Sequence, residues 1–224
     1  MNNLSTTLME NHMKILLGIT IATLSFMAPA LHAEPYIGLS LGNAQTDVGS
    51  AIPGVDVYNL IVYGPGTDCA SLGTCTSSTE DSSAGLKLFG GNQLTPNFAV
   101  EAYYANLGSY SASANDNQGT ALKADVDVTA FGVSAVGLLP VSDKAKLFAK
   151  AGVFQWNSEV KVTIVDTFVG FAGSTTVSDD GIDFMVGIGG QYDLTEKVIL
   201  RAEYERYATD TAIGLLSVGV MYKF

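Results

Sequence analysis

Leu216-Ser217-Val218-Gly219-Val220-Met221-Tyr222-Lys223-Phe224 closes the chain, and it alternates without a break. Side chains of a strand point to opposite faces in turn, so Leu216, Val218, Val220, Tyr222 and Phe224 share one face, while Ser217, Gly219, Met221 and Lys223 share the other. An apolar face ending in aromatics, backed by a small and polar face, is what a closed barrel in lipid requires, because its outside meets hydrocarbon and its inside does not. A soluble barrel has the reverse arrangement. The competing reading is the last strand of a soluble sheet, since alternation marks a two-faced strand without saying which face meets lipid.

The other end of the chain bears on that choice. Met13-Lys14 opens an apolar run from Ile15 to Met27, followed by Ala28-Pro29-Ala30-Leu31-His32-Ala33. A basic start, a short apolar stretch and small residues before a cut make a secretory signal peptide, too short to span a bilayer. Residues 1–33 are therefore expected to be removed, with Met13 a candidate true start, and residues 34–224 to form one domain.

The chain carries 11 basic and 22 acidic residues, a net charge of −11. Cleavage removes Lys14 and Glu10 together, so the balance persists. That acidity argues against nucleic-acid binding, which needs a positive field. Cleavage also removes His12 and His32, the two histidines of the sequence, which excludes His-based catalysis and His metal ligation in the mature protein. An outer-membrane hydrolase or acyltransferase built on His with Ser or Asp is disfavoured on the same ground. The two cysteines, Cys69 and Cys75, sit close together in an exported chain. They read as a disulfide, with free thiols as the alternative; a metal site lacks further Cys or His to complete it, and no cofactor is implied.

Between these ends the sequence reads as strands joined alternately by tight turns and long polar stretches. Tyr36–Asn43 is the first, with Ile37, Leu39 and Leu41 on one face. A long polar segment, Ala44–Ser82, follows. Ala84–Gln93 sends Leu86 and Leu88 outward and Lys87 and Phe89 inward. Phe98–Gly108 sends Phe98, Val100, Ala102 and Tyr104 outward and Glu101 and Tyr103 inward. Ser109–Ala124 is expected to be a loop. In Asp125–Leu139 the inward set from Ala130 to Leu138 is barely polar, and a bulge that changes parity is one explanation. Lys144–Trp156 places Lys146, Phe148, Lys150 and Phe154 inward. Asn157–Asp180 alternates at Val160, Val162 and Ile164, which suggests a protruding hairpin. The next two strands put Ile182, Phe184, Val186, Ile188 and Tyr192 outward, then Arg201, Glu203 and Glu205 inward. Tyr207–Ala212 is a short loop before the terminal strand. The expectation is all-β: an eight-stranded antiparallel up-and-down transmembrane barrel with long extracellular loops and both termini on the periplasmic side. Tyr36, Tyr192, Tyr204, Tyr222 and Phe224 are expected to form an aromatic girdle.

The stretches Gly85–Gly91 through Phe98–Tyr104, Gly190–Thr195 through Leu200–Tyr204, and Leu216–Phe224 resemble the OmpA-type eight-stranded outer membrane barrels, over nearly all the strands and little of the loops. Gly219, Tyr222 and Phe224 are similar to the C-terminal signal read by the barrel assembly machinery. The resemblance implies residence in the bacterial outer membrane, among its lipids and lipopolysaccharide, with outward loops that meet host or surface ligands. The resemblance is to the transmembrane domain alone, so the periplasmic peptidoglycan-binding domain of two-domain members is not expected here.

An eight-stranded lumen is filled by side chains, so the inward charges Lys87, Glu101, Lys150, Arg201 and Glu203 must pair. The resemblance assigns a Glu101–Arg201 pair to the plug of the pore. The family's lysine on the fourth strand is replaced by Val136, which leaves Lys150 or Lys87 to supply that charge. Two functions follow as expectations: a non-enzymatic barrel for envelope integrity and surface interaction, or a small ion or solute channel gated by this network. Loop carboxylates bridged to lipopolysaccharide by divalent cations are conceivable, but no spacing resembles a calcium loop.

Overall fold

The computed structural model describes residues 33–46, 76–80, 82–115, 119–168, 170–209 and 212–224. Residues 1–32 of the expected leader lie outside them, as do Cys69 and Cys75 and the acidic residues Asp47, Asp56, Asp68, Asp81, Asp116 and Asp210.

Nine strands follow in order: β1 (Glu34–Gln45), β2 (Thr76–Glu80), β3 (Ser82–Thr95), β4 (Phe98–Asn115), β5 (Thr120–Pro140), β6 (Ala145–Asp166), β7 (Phe171–Asp193), β8 (Val198–Tyr207) and β9 (Ile213–Lys223). All neighbours are antiparallel, and the sheet closes on itself because β4 also pairs with β5, and β1 with both β3 and β9. β2 and β3 both lie along β4, so eight staves make the ring, as the sequence pattern predicts.

The register fixes the barrel's geometry. From Leu39 one rung runs through Leu88, Tyr104, Phe131 and Gln155 to Ile182, while the other way round it runs through Val220 and Leu200 to Tyr192. The two paths meet β7 ten residues apart. For strands about 4.8 Å apart rising about 3.3 Å per residue, that stagger tilts them by about 40° and gives a radius of about 8 Å. Such a bore holds side chains and no free pore.

Alternation sorts the side chains across the wall. Each stave presents an outward apolar run: Ile37, Leu39 and Leu41 on β1, Val100 and Tyr104 on β4, Phe131 and Val133 on β5, Ile182, Phe184, Val186 and Ile188 on β7. Phe184 is 71 % exposed and Val218 65 %, on a chain whose inward Phe89, Phe154 and Met221 are buried. Along β9 the apolar face from Leu216 to Phe224 is about 20 Å tall at this tilt, close to the height of an outer-membrane hydrocarbon band. Above it the outward positions turn polar, at Thr129, Asp127 and Lys123 on β5 and at Asn157, Glu159 and Lys161 on β6.

Several expectations need correction. Most of Ser109–Ala124 is ladder and not loop: β4 continues to Asn115 and β5 starts at Thr120, paired from Ser109–Asp127 to Asn115–Ala121. The serines there occupy outward positions, while Tyr110, Ala112, Leu122 and Ala124 form a buried inner row. β5 changes parity nowhere, holding one register with β6 from Thr120 to Pro140. The irregularity is on β4, between Asn106 and Ser109, where Gly108 adopts φ +98° and its N–H donates to Asn106 Oδ1 at 2.8 Å. Only glycine enters that region without strain, and this bulge switches the inward set of β4 from odd residues, ending at Leu107, to even residues, starting at Tyr110. Tyr207 is the last residue of β8, buried in the lumen and not in a loop. Tyr36 is no part of an outer girdle: it points inward and is 6 % exposed. Finally, the segment Ala44–Ser82 contains the strand β2.

Candidate functional site

The lumen is built in layers. Ile199, Met221 and Leu138 form an apolar floor toward the chain termini, and Leu107, Phe154, Tyr207, Ile213 and Leu215 form a roof. Between them lies a cluster of three cations and three carboxylates, none more than 4 % exposed. β8 supplies a column of three, Arg201, Glu203 and Glu205, because residues two apart on a strand share a face. Lys87 comes from β3, Glu101 from β4 and Lys150 from β6.

Arg201 holds Glu101 through both terminal nitrogens, Nη2 to Oε2 at 3.1 Å and Nη1 to Oε1, and its Nε donates to Glu203 Oε2 at 3.1 Å. Lys87 donates to Glu203 and to both oxygens of Glu205 at 2.9 Å. Lys150 reaches Glu203 Oε2 at 2.6 Å and Glu205 Oε1 at 2.5 Å. The Tyr36 hydroxyl completes the shell of Glu101, donating to Oε1 at 2.9 Å. Glu203 thus touches all three cations. Charges removed from water at this depth are tolerated because each is neutralised and hydrogen-bonded in several directions.

Aromatic rings hold the cluster from the sides. The Arg201 guanidinium carbon lies 4.7 Å from the Phe89 ring centre and 4.3 Å from that of Phe148, and Lys87 Nζ lies 5.2 Å from Phe89. Those separations are in the range where a cation is attracted to a ring face. Three of the rings sit opposite a bare backbone: Phe89 pairs across the ladder with Gly38, Phe148 with Gly189, Tyr103 with Gly132. A Cβ on Gly38 would lie 2.2 Å from Phe89 Cζ, and one on Gly189 2.4 Å from Phe148 Cζ.

All five inward charges singled out in the sequence fall in this one cluster. Glu205, inward on the same strand, joins them as the partner of both lysines. Both Lys87 and Lys150 occupy the site for which one lysine was sought. Beyond the barrel, Lys123 pairs with Asp125 at 2.7 Å, and the hydrogen bond and charge of that carboxylate raise the lysine's pKa above its ordinary value. Among the described residues no group of His, Cys, Asp and Glu is arranged to hold a metal ion.

Solved structures similar to the chain include the attachment invasion locus protein Ail of Yersinia pestis in complex with the heparin analogue sucrose octasulfate, at 13 % identity over 85 % of this chain and 99 % of that one, TM-score 0.44. They also include Neisserial surface protein A, at 17 % over 86 % and 99 %, TM-score 0.48, and OprG from Pseudomonas aeruginosa, at 12 % over 86 % and 95 %, TM-score 0.48. No curated protein sequence matches. The family described as outer membrane protein beta-barrel domain matches residues 15–224. The chain belongs to that family and is a protein of the bacterial outer membrane.

Proposed function

We propose that the protein is a closed, non-catalytic barrel that serves envelope integrity and presents the strands and loops beyond the bilayer to extracellular partners. The observation that supports this most is the lumen itself. Six charges that cancel, two rings lying within 5 Å of one guanidinium, and buried apolar side chains toward either end fill the bore. In this reading the cluster is a structural plug, and Gly219, Tyr222 and Phe224 form the assembly signal. The membrane lipids and lipopolysaccharide are the barrel's constant neighbours. The purified protein in a planar lipid bilayer is expected to show no conductance steps above background; sustained single-channel events would overturn the proposal.

A second reading, a small gated channel, draws on one feature. The hydroxyls of Ser40, Tyr103, Ser134 and Ser217 are buried in the lumen wall without a hydrogen-bond partner. Buried hydroxyls readily bind water, so the wall suits hydration if the plug were to shift.

A further inference from the structure

Among the described residues no strand covers the edge of β7 beyond the barrel. β8 ends at Tyr207, which pairs with Met185, and just beyond it the Ala208 N–H donates to the Phe184 carbonyl at 3.0 Å. From Phe171 to Asp183, β7 pairs with β6 on one side and with no described strand on the other. The N–H and C=O of one residue point to the same side of its strand. Phe184 points toward β8, so the even-numbered residues offer theirs to the open side: Ala172, Ser174, Thr176, Ser178 and Ile182. The Asp180 N–H is taken by the Asp179 carboxylate at 3.0 Å.

Exposed edges of this length are normally blunted by lysine, proline or a bulge. This one has neither residue, and its register with β6 is unbroken. What it has is negative charge: Asp179, Asp180 and Asp183, with no cation on the segment. The lumen charges cancel, and so do those at the terminal rim, where Lys144, Lys146, Lys197 and Lys223 face Glu34, Asp143, Asp193 and Glu196. Among the described residues the acidic excess therefore lies on the extracellular side, where Glu80, Asp125, Asp127, Glu159 and Asp166 join the β7 carboxylates against Lys123, Lys161 and Arg206. Like charge opposes pairing of this edge with a second copy of itself.

We propose that the free edge of β7, from Phe171 to Asp183, is a docking strand for an extended lysine- or arginine-rich segment of a partner protein, which joins the sheet as one more strand. Main-chain hydrogen bonds supply the adhesion and the carboxylates select the cationic partner. The proposal rests on the reading of the protein as a surface-presenting barrel and names the chemistry of its partner.

The test uses the whole protein in phospholipid nanodiscs, with a peptide matched in length to Phe171–Asp183 in which lysine alternates with valine. Amide exchange at Thr176 and Ser178 is expected to slow by about tenfold or more on adding it, as newly paired edge amides do. The same peptide N-methylated at alternate residues, or with glutamate for lysine, is expected to give no protection. Thr176→Pro removes one edge donor without touching the bonds to β6, and is expected to abolish protection while the folded protein keeps its heat-modifiable gel mobility. Asp179→Asn with Asp180→Asn keeps the edge and is expected to weaken binding. Equal protection by the N-methylated peptide, protection elsewhere in the chain, binding unaffected by either variant, or self-association through β7 overturns the proposal. Conductance of the same preparation reports separately on the surface-presentation reading.

Discussion

Phe89 sets the far edge of its ring against the bare backbone of Gly38, its direct partner across the β1–β3 ladder, and the Arg201 guanidinium carbon lies 4.7 Å from the centre of the same ring. Gly38→Ala drives a methyl group into that ring, which has Arg201 and Lys87 against it and little room to retreat. We expect a loss of about 1–3 kcal/mol, the usual cost of overpacking a filled interior. Urea unfolding in lipid vesicles measures it; an unchanged midpoint would show that the ring is free to move.

Tyr36→Phe removes the hydroxyl that donates to Glu101 and nothing else of that side chain. A hydrogen bond to a buried carboxylate contributes about 1.5–3 kcal/mol. The same unfolding assay is expected to show a loss in that range, with the barrel still running at its folded position on unheated gels. A neutral effect would mean that Arg201 alone satisfies Glu101.

Glu101→Ala leaves the lumen with one cation in excess. Arg201 need not swing to find another carboxylate, because it already donates to Glu203. Breaking one partner of a buried ionic cluster costs roughly 3–5 kcal/mol. The folded variant is expected to be less stable and to conduct no more than the parent, since Tyr36, Lys87 and the two remaining glutamates still fill the bore. A stable rise in conductance would favour the gated-channel reading over the plug.

Cys69 and Cys75 are proposed to be joined. Alkylation without prior reduction, followed by mass spectrometry, is expected to leave both unmodified. Two labelled thiols would rule out the bridge.

The mature protein is proposed to start at Glu34, the first residue of β1. N-terminal sequencing of membrane-extracted protein checks this, and a chain retaining Met1 or Met13 would refute it.

What the sequence disclosed and what it hid divide along a physical line. Whether a side chain points in or out is local information carried by alternation, so Lys87, Glu101 and Arg201 could be placed on the inner face from their own strands. Which residue stands opposite which is set by cross-strand register, and no single strand records it. The pairing of Phe89 with Gly38, and the central place of Glu205 between Lys87 and Lys150, appear only when the ring is closed. The outer part of β4 is hidden in the sequence for another reason: Ser109, Ser111 and Ser113 are favoured in loops, yet here they are the solvated face of a ladder whose other face buries Tyr110 and Ala112. Composition described one face and concealed the other.

The unbroken register of β6 with β7, from Ala145–Tyr192 to Asp166–Phe171, restricts how this hairpin can change length in evolution. A single residue gained or lost within either strand reverses the facing of every position from there to the tip. It would turn Val160, Val162 and Ile164 to the outside and Glu159 and Lys161 to the inside. Viable length variants of the protruding arm should therefore differ by residue pairs in both strands, while single-residue changes collect at the turn between Asp166 and Phe171.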